Sequence, residues 1–173
     1  MSLYVQSKAY LLEKLKAAGV KSNPYTTVKR LAKSAESHVS AVIFEKEALR
    51  RNGSKRLFKD ETGAQKKRRK VFDRDLTFAV IIGDYSDDTV EAIFEKFLDS
   101  LDRGIWVNGD FVPIEAEDAE WADEEDSILK ARVAVRVMIT FQGGLYRDTG
   151  FGPLTHVEVE AVQKNNGQEI TYG

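Results

Sequence analysis

Residues 68–82 read RRKVFDRDLTFAVII, and the fold follows from how that string alternates. Phe72, Leu76, Phe78, Val80 and Ile82 fall on one side, and Asp73, Asp75, Thr77, Ala79 and Ile81 on the other. A period of two marks a strand, because successive side chains point to opposite faces. The string is charged at its start and apolar on both sides at its end, so the strand is expected to begin wet and finish buried.

Downstream, after Gly83 and a turn, Val90, Ile93, Phe94, Phe97, Leu98 and Leu101 recur at i, i+3, i+4, i+7, i+8 and i+11, one face of a helix. Asp87 and Asp88 suit its start, where unpaired amides and the helix dipole favour negative charge. Asn108-Gly109, flanked by residues 105–107 and 111–114, is the strongest short hairpin signal in the chain. A second long strand is expected from Ile128 to Phe141. Ala131, Val133, Val135, Val137, Ile139 and Phe141 would point inward, and Lys130, Arg132, Arg136 and Thr140 outward, leaving one sheet face open or partner-facing. Gly143-Gly144 and residues 150–153 punctuate its end, and His156 to Val162 supplies a last strand.

Upstream, Tyr4 to Ala18 reads as a helix with Leu11, Leu12 and Leu15 on its apolar side and Gly19 as its stop. Asn23-Pro24 breaks the chain, and Thr26 or Thr27 caps a short second helix presenting Val28, Leu31, Ala32 and Ala35. From Val39 to Glu47 the pattern turns to a strand, with Val42 and Phe44 on one side and Val39, Ala41 and Ile43 on the other. Arg50 to Lys67 is polar and carries Asn52-Gly53 and Thr62-Gly63, signals of a long loop or an extended basic hairpin arm. Arg50, Arg51, Lys55, Arg56, Phe58 and Lys59 are its candidate partner contacts.

Strands and helices do not alternate as a doubly wound fold requires. The expectation is one α+β domain over residues 1–173, a mostly antiparallel β-sheet with helices packed on one face. Residues 1–35 form a helical opening, 36–162 a body with an arm at about 50–67, and 163–173 a polar tail.

With no cysteine, disulfides, zinc knuckles, thiol nucleophiles and iron–sulfur clusters are excluded together. No apolar run reaches signal-peptide or membrane-spanning length, so a soluble chain made in the cytoplasm, without a membrane partner, is expected. The net charge of -2 hides a separation: residues 65–74 hold six basic side chains and residues 115–126 eight acidic ones. Lys66, Lys67, Arg68, Arg69, Lys70 and Arg74 form a basic candidate interface. Glu117, Asp118, Glu120, Trp121, Asp123, Glu124, Glu125 and Asp126 form an acidic one. Such separation suits head-to-tail association or charged partners, and equally self-screening within one fold.

The basic run reads as a solvated strand start, a protein contact or a phosphate contact, with only Phe58 and Phe72 nearby for base stacking. Glu45, Glu47, Asp73 and Asp75 are the best candidates for a Mg²⁺ site of a nuclease, set against arginines able to neutralise them. The acidic run lacks calcium-loop spacing and reads as a solvated loop, in which Trp121 either folds back or anchors an interface. His38 and His156 have no triad partner at a telling spacing, and no nucleotide, hydrolase or zinc-protease motif occurs. No cofactor and no catalytic residue is expected.

Taken in order, the short helical start, residues 42–47 (VIFEKE), a basic arm leading into a long strand, the 90–101 helix, and residues 132–141 closing on Gly143-Gly144-Leu145-Tyr146 resemble the tail terminator (tail completion) proteins of long-tailed bacteriophages. The resemblance spans about residues 36–147 and ends on the pattern F-x-G-G-x-Y. It implies a non-enzymatic virion protein at the head-proximal end of the tail. Such a protein forms a ring, usually a hexamer, on the last tail-tube ring and joins it to neck or head connector proteins, with DNA passing through the lumen. A neck or head-completion adaptor, and a nuclease or nucleic-acid-binding module, are the alternatives. The long basic arm and the acidic insertion depart from the compact layout of that family.

Overall fold

In the computed structural model, which describes residues 1–123 and 133–151 and the backbone of 162–163 and 169–170, the helices are α1 (Leu3–Ala17), α2 (Val28–Ala32) and α3 (Asp87–Asp99). The strands are β1 (Val39–Arg51), β2 (Lys55–Lys59), β3 (Gln65–Asp84), β4 (Gly104–Val107), β5 (Asp110–Ala122), β6 (Val133–Gly150), β7 (Val162–Gln163) and β8 (Glu169–Ile170). One six-stranded sheet has the order β1-β3-β6-β5-β4, with β2 also paired to β3, and β7 pairs with β8. The registered pairs are antiparallel. Contacts Thr77–Thr140 and Lys70–Tyr146 run in opposite senses along β3 and β6, so that pair is antiparallel as well. The chain is therefore an α+β protein built on a mostly antiparallel sheet. It groups into two compact units, Met1–Ser54 with Lys70–Arg147 and Lys55–Arg69 with Asp148–Gly173.

In the first unit, Leu76, Phe78, Val80 and Ile82 of β3 and Val135, Val137, Ile139 and Phe141 of β6 are buried on one sheet face, as the alternation predicts. Leu3, Leu11 and Leu15 of α1 and Val90 and Phe97 of α3 pack onto them. Edge-to-face rings tie the layers: Phe78 lies 6.0 Å from Phe141 and 5.5 Å from Phe44, and Tyr10 lies 6.0 Å from Phe141. Such pairs contribute roughly 0.5–1.5 kcal/mol each beyond their burial. Ser2, Thr27 and Ser86 cap the three helices through their hydroxyls, and Gly19 leaves α1 with φ 94°, a conformation that side chains resist.

Several expected details are corrected. The opposite face is not open at its centre: Val39, Ala41, Ile43 and Ala79 are buried there with Leu31 of α2. Thr140, expected outward, is buried on that side. Its hydroxyl lies 2.9 Å from Thr77 Oγ1 and donates to Glu117 Oε1 at 3.0 Å, which makes the burial tolerable. In α2 only Leu31 is buried, and Val28 is 64% exposed. β1 continues past Glu47 to Arg51, because its polar second half still pairs with the polar first half of β3. Of the two readings of residues 50–67, a long loop or a hairpin arm, the pairing is that of a hairpin, with Lys55 opposite Arg69 and Lys59 opposite Gln65. The expected strand at 128–132, and nearly all of the one at 156–162, lie outside the described residues.

β6 does not stop at Gly143-Gly144 but runs on to Gly150. The first of these glycines is a packing device: a Cβ at residue 143 would run into Leu3 Cδ2 and lie 3.4 Å from the carbonyl of Arg74. Gly143→Ala should therefore destabilise by about 1–3 kcal/mol, the cost of overpacking. Part of that loss should return when Leu3→Ala is combined with Gly143→Ala, relative to the two single variants, whereas Gly53→Ala, with open space around it, should be near neutral. Urea denaturation of these four variants checks this.

Candidate interaction surfaces

The basic run of residues 66–74 is split between the two units and largely neutralised within each. In the first unit, Lys70 Nζ lies 2.7 Å from Asp73 and Arg74 Nε donates to Glu47 at 2.5 Å. Arg50 donates to Asp75 at 2.6 Å, and Arg51 stacks over Phe72 at 4.7 Å. In the second unit, Arg68 grips Asp148 through two bonds of 2.7 Å and lies over the Phe58 ring at 4.8 Å, while Lys66 meets Asp60 at 3.0 Å. Lys55, Lys59, Lys67 and Arg69 meet no carboxylate among the described residues. Arg56 sits directly opposite Arg68.

The acidic run is a strand where a solvated loop was expected. Glu115 to Ala122 belong to β5 and pair with β6, with a bulge between Ala116 and Ala119 that sets two acidic residues, Glu117 and Asp118, against one position of β6. Beyond β4, which pairs only with residues 110–113, the outer edge of β5 has no strand beside it among the described residues. Charge along a bare edge is a usual guard against promiscuous pairing. Trp121 folds back in part: it stands edge-on to Phe94 of α3 at 5.9 Å and remains 48% exposed. Asp123 closes the described part of the run, and Glu124, Glu125 and Asp126 lie outside it.

A second bare edge lies at the far side of the same sheet. Tyr25 bridges β1 only at Ala41, through Tyr25 N–H to the Ser40 carbonyl and Val42 N–H to the Tyr25 carbonyl, both 2.8 Å. From Glu45 to Arg51 the outer side of β1 is unpaired among the described residues. Arg136 neutralises Glu45 at 2.9 Å and Arg74 holds Glu47. Lys46 and Arg51 meet no carboxylate among the described residues, so this edge is cationic there. Lys46 escaped the sequence reading because only the sheet order reveals β1 as an outer strand.

The four carboxylates weighed for a metal, Glu45, Glu47, Asp73 and Asp75, are each held by a cation of the same chain. No cluster of three metal-binding side chains occurs among the described residues. His38 does have a carboxylate partner that sequence spacing did not reveal: Nδ1 lies 2.9 Å from Oδ2 of buried Asp84, whose Oδ1 accepts the Tyr85 N–H at 2.7 Å. A cleft of about 510 Å³ opens beside it, lined by Lys21, Ser22, Asn23, Tyr25, Glu36 and His38. Ser22 Oγ donates to the His38 carbonyl at 2.9 Å and Ser37 Oγ to the Tyr85 hydroxyl, so neither serine is activated by the imidazole. His156 lies outside the described residues. Among those residues, no helix is long and apolar enough to cross a membrane.

Among the described residues, five aspartates are held below the ordinary carboxylate range. Asp60 is held by Thr62 and then Lys66, Asp73 by Lys70 and Asn52, Asp102 by Lys14 and Tyr10, and Asp148 by Arg68. Burial pushes Asp84 up, but the Tyr85 amide, His38 and Lys21 together bring it below its usual value. A carboxylate with a depressed folded pKa takes up its proton in the unfolded chain first, so its stabilisation is present above about pH 4 and lost as pH falls. The urea midpoint should hold steady from about pH 8 to 5 and drop below about pH 4. Asp84→Asn should remove part of that slope, Asp84 being the most enclosed of the five.

No protein-family model matches the chain, and no curated protein matches it in sequence.

Proposed function

We propose that this chain is a structural, non-enzymatic subunit that assembles head to tail into a closed ring, and that the ring is the terminator at the head-proximal end of a long phage tail. The observation that carries the first part is the pair of bare edges on one sheet, acidic along β5 and cationic along the second half of β1. A ring needs a heterologous interface in which one patch meets a different patch of the neighbour. Opposed strand edges supply backbone hydrogen bonds, and opposite charge across them selects β5 against β1 over either edge against itself. The acidic side keeps Glu115, Glu117, Asp118 and Glu120 of the run that the linear sequence suggests, while the basic side moves from residues 66–74 to Lys46 and Arg51 of β1. Placement on a phage tail, between tail tube protein and neck or head connector, rests on the resemblance over residues 36–147. A hexamer is its expected size.

Charge reversal tests the ring. Glu117→Lys/Glu120→Lys and Lys46→Glu/Arg51→Glu should each shift the protein toward monomer in light scattering. Each opposed charge pair contributes roughly 0.2–1 kcal/mol, so two reversed pairs should weaken the interface by about tenfold or more. Mixing the two variants should restore an alternating ring, and negative-stain images should place wild-type rings on tail-tube ends. A wild type that stays monomeric at high concentration, or variants that assemble like it, would overturn the reading.

A further inference from the structure

The β2–β3 hairpin carries a cationic face that no carboxylate among the described residues neutralises. Residues directly opposite in an antiparallel pair share a face. The register therefore puts Lys55 with Arg69, Leu57 with Lys67, and Lys59 with Gln65 on one side. Arg56, Phe58, Lys66 and Arg68 fall on the other, where Asp148, Asp60 and the Phe58 ring engage Arg68 and Lys66. The first side holds four cations without a carboxylate among the described residues. At its centre Leu57 is 63% exposed, so the face is open to solvent.

Like charges set directly opposite, such as Lys55 and Arg69, destabilise a strand pair. The pairing therefore works against the hairpin unless an anion sits on this face. Along the strand the cations span roughly 14 Å, with neighbouring positions on the face about 7 Å apart. That is a flat, repeating array with no aromatic ring on it, which gives bases nothing to stack on and argues against single strands. β6 flanks β3 on its other side as far as Gly150, so the face is part of a wider sheet that lies across the phosphates bordering a duplex groove and does not enter the groove.

We propose that this hairpin face binds the phosphate backbone of duplex DNA without sequence preference. The proposal is independent of the ring: it uses Lys55, Lys59, Lys67 and Arg69 and neither bare sheet edge. Four phosphate contacts give a slope of log affinity against log salt of about −3.6, a loss of about 10²-fold between 50 and 200 mM salt.

The test uses the full chain and fluorescence anisotropy with a mixed-sequence 30-base-pair DNA duplex, matched single-stranded DNA, an RNA duplex and polyglutamate. Duplex DNA should bind tightest, with the stated salt slope. Lys55→Gln/Arg69→Gln should lower that affinity about tenfold or more and roughly halve the slope, while leaving the thermal midpoint unchanged or higher because a repulsive pair is gone. Lys29→Gln/Lys33→Gln, on exposed positions of and beside α2, makes the same change in net charge and should leave binding within about twofold. Equal losses in both variants would show binding by net charge alone and overturn the proposal. So would a hairpin variant that binds as wild type, or a face that prefers polyglutamate, which would make it a protein-binding surface.

Discussion

The packing of α1 and α3 against the apolar halves of β3 and β6, centred on the Phe78–Phe141 contact, is the interaction on which the rest of the structure depends. It fixes β3 and β6 as the middle of the sheet, because among the described residues these two strands alone present four buried residues each to the helices. Once these two strands are central, β1 and β5 must lie outside them. The bare edges are thus a consequence of where the core sits. Tyr4 and Tyr10 extend the aromatic cluster from the sheet into α1, so the N-terminal helix belongs to the core.

Charge is then sorted by what the core leaves uncovered. The polar halves of β1 and β3 lie side by side, and their ions meet one another: Arg50 with Asp75, Arg74 with Glu47, Lys70 with Asp73. Exposed pairs of this kind add little stability individually. Their effect is to remove those groups from other roles, which tells against a metal site at Asp73 and Asp75 and shrinks the basic surface available to partners. Among the described residues, Glu115 and Asp118 on β5, Lys46 and Arg51 on β1, and one face of the β2–β3 hairpin keep charge that no opposite charge meets, whereas Glu117 accepts from Thr140 and Glu120 lies 3.7 Å from Arg136.

The strands of the core were legible from residues 72–82 and 133–141, since a period of two with buried partners leaves little choice of face. The 90–101 helix and the Asn108-Gly109 turn were equally plain: Asn108 and Gly109 take φ of 50° and 80°, as a two-residue hairpin requires. Residues 115–122 misled because acidic runs are usually solvated loops; here the strand is set by pairing with β6, a long-range effect that local composition does not carry. Thr140 and Gly143 misled for a related reason, since the groups that meet them, Thr77 and Glu117 at Thr140 and Leu3 at Gly143, lie on elements distant in the chain. The basic run was recognised as a unit in sequence, but strand register divides its cations between opposite faces. The Asp84–His38 contact joins residues with no spacing signature at all.

Backbone hydrogen exchange on residues 45–51 and 115–122, followed as protein concentration is raised, tests the paired-edge assembly most directly. Both segments should gain protection together, over the concentration range in which the ring forms, while the cationic face of the hairpin remains unchanged. Protection of one edge without the other, or of neither in an assembled ring, would contradict it.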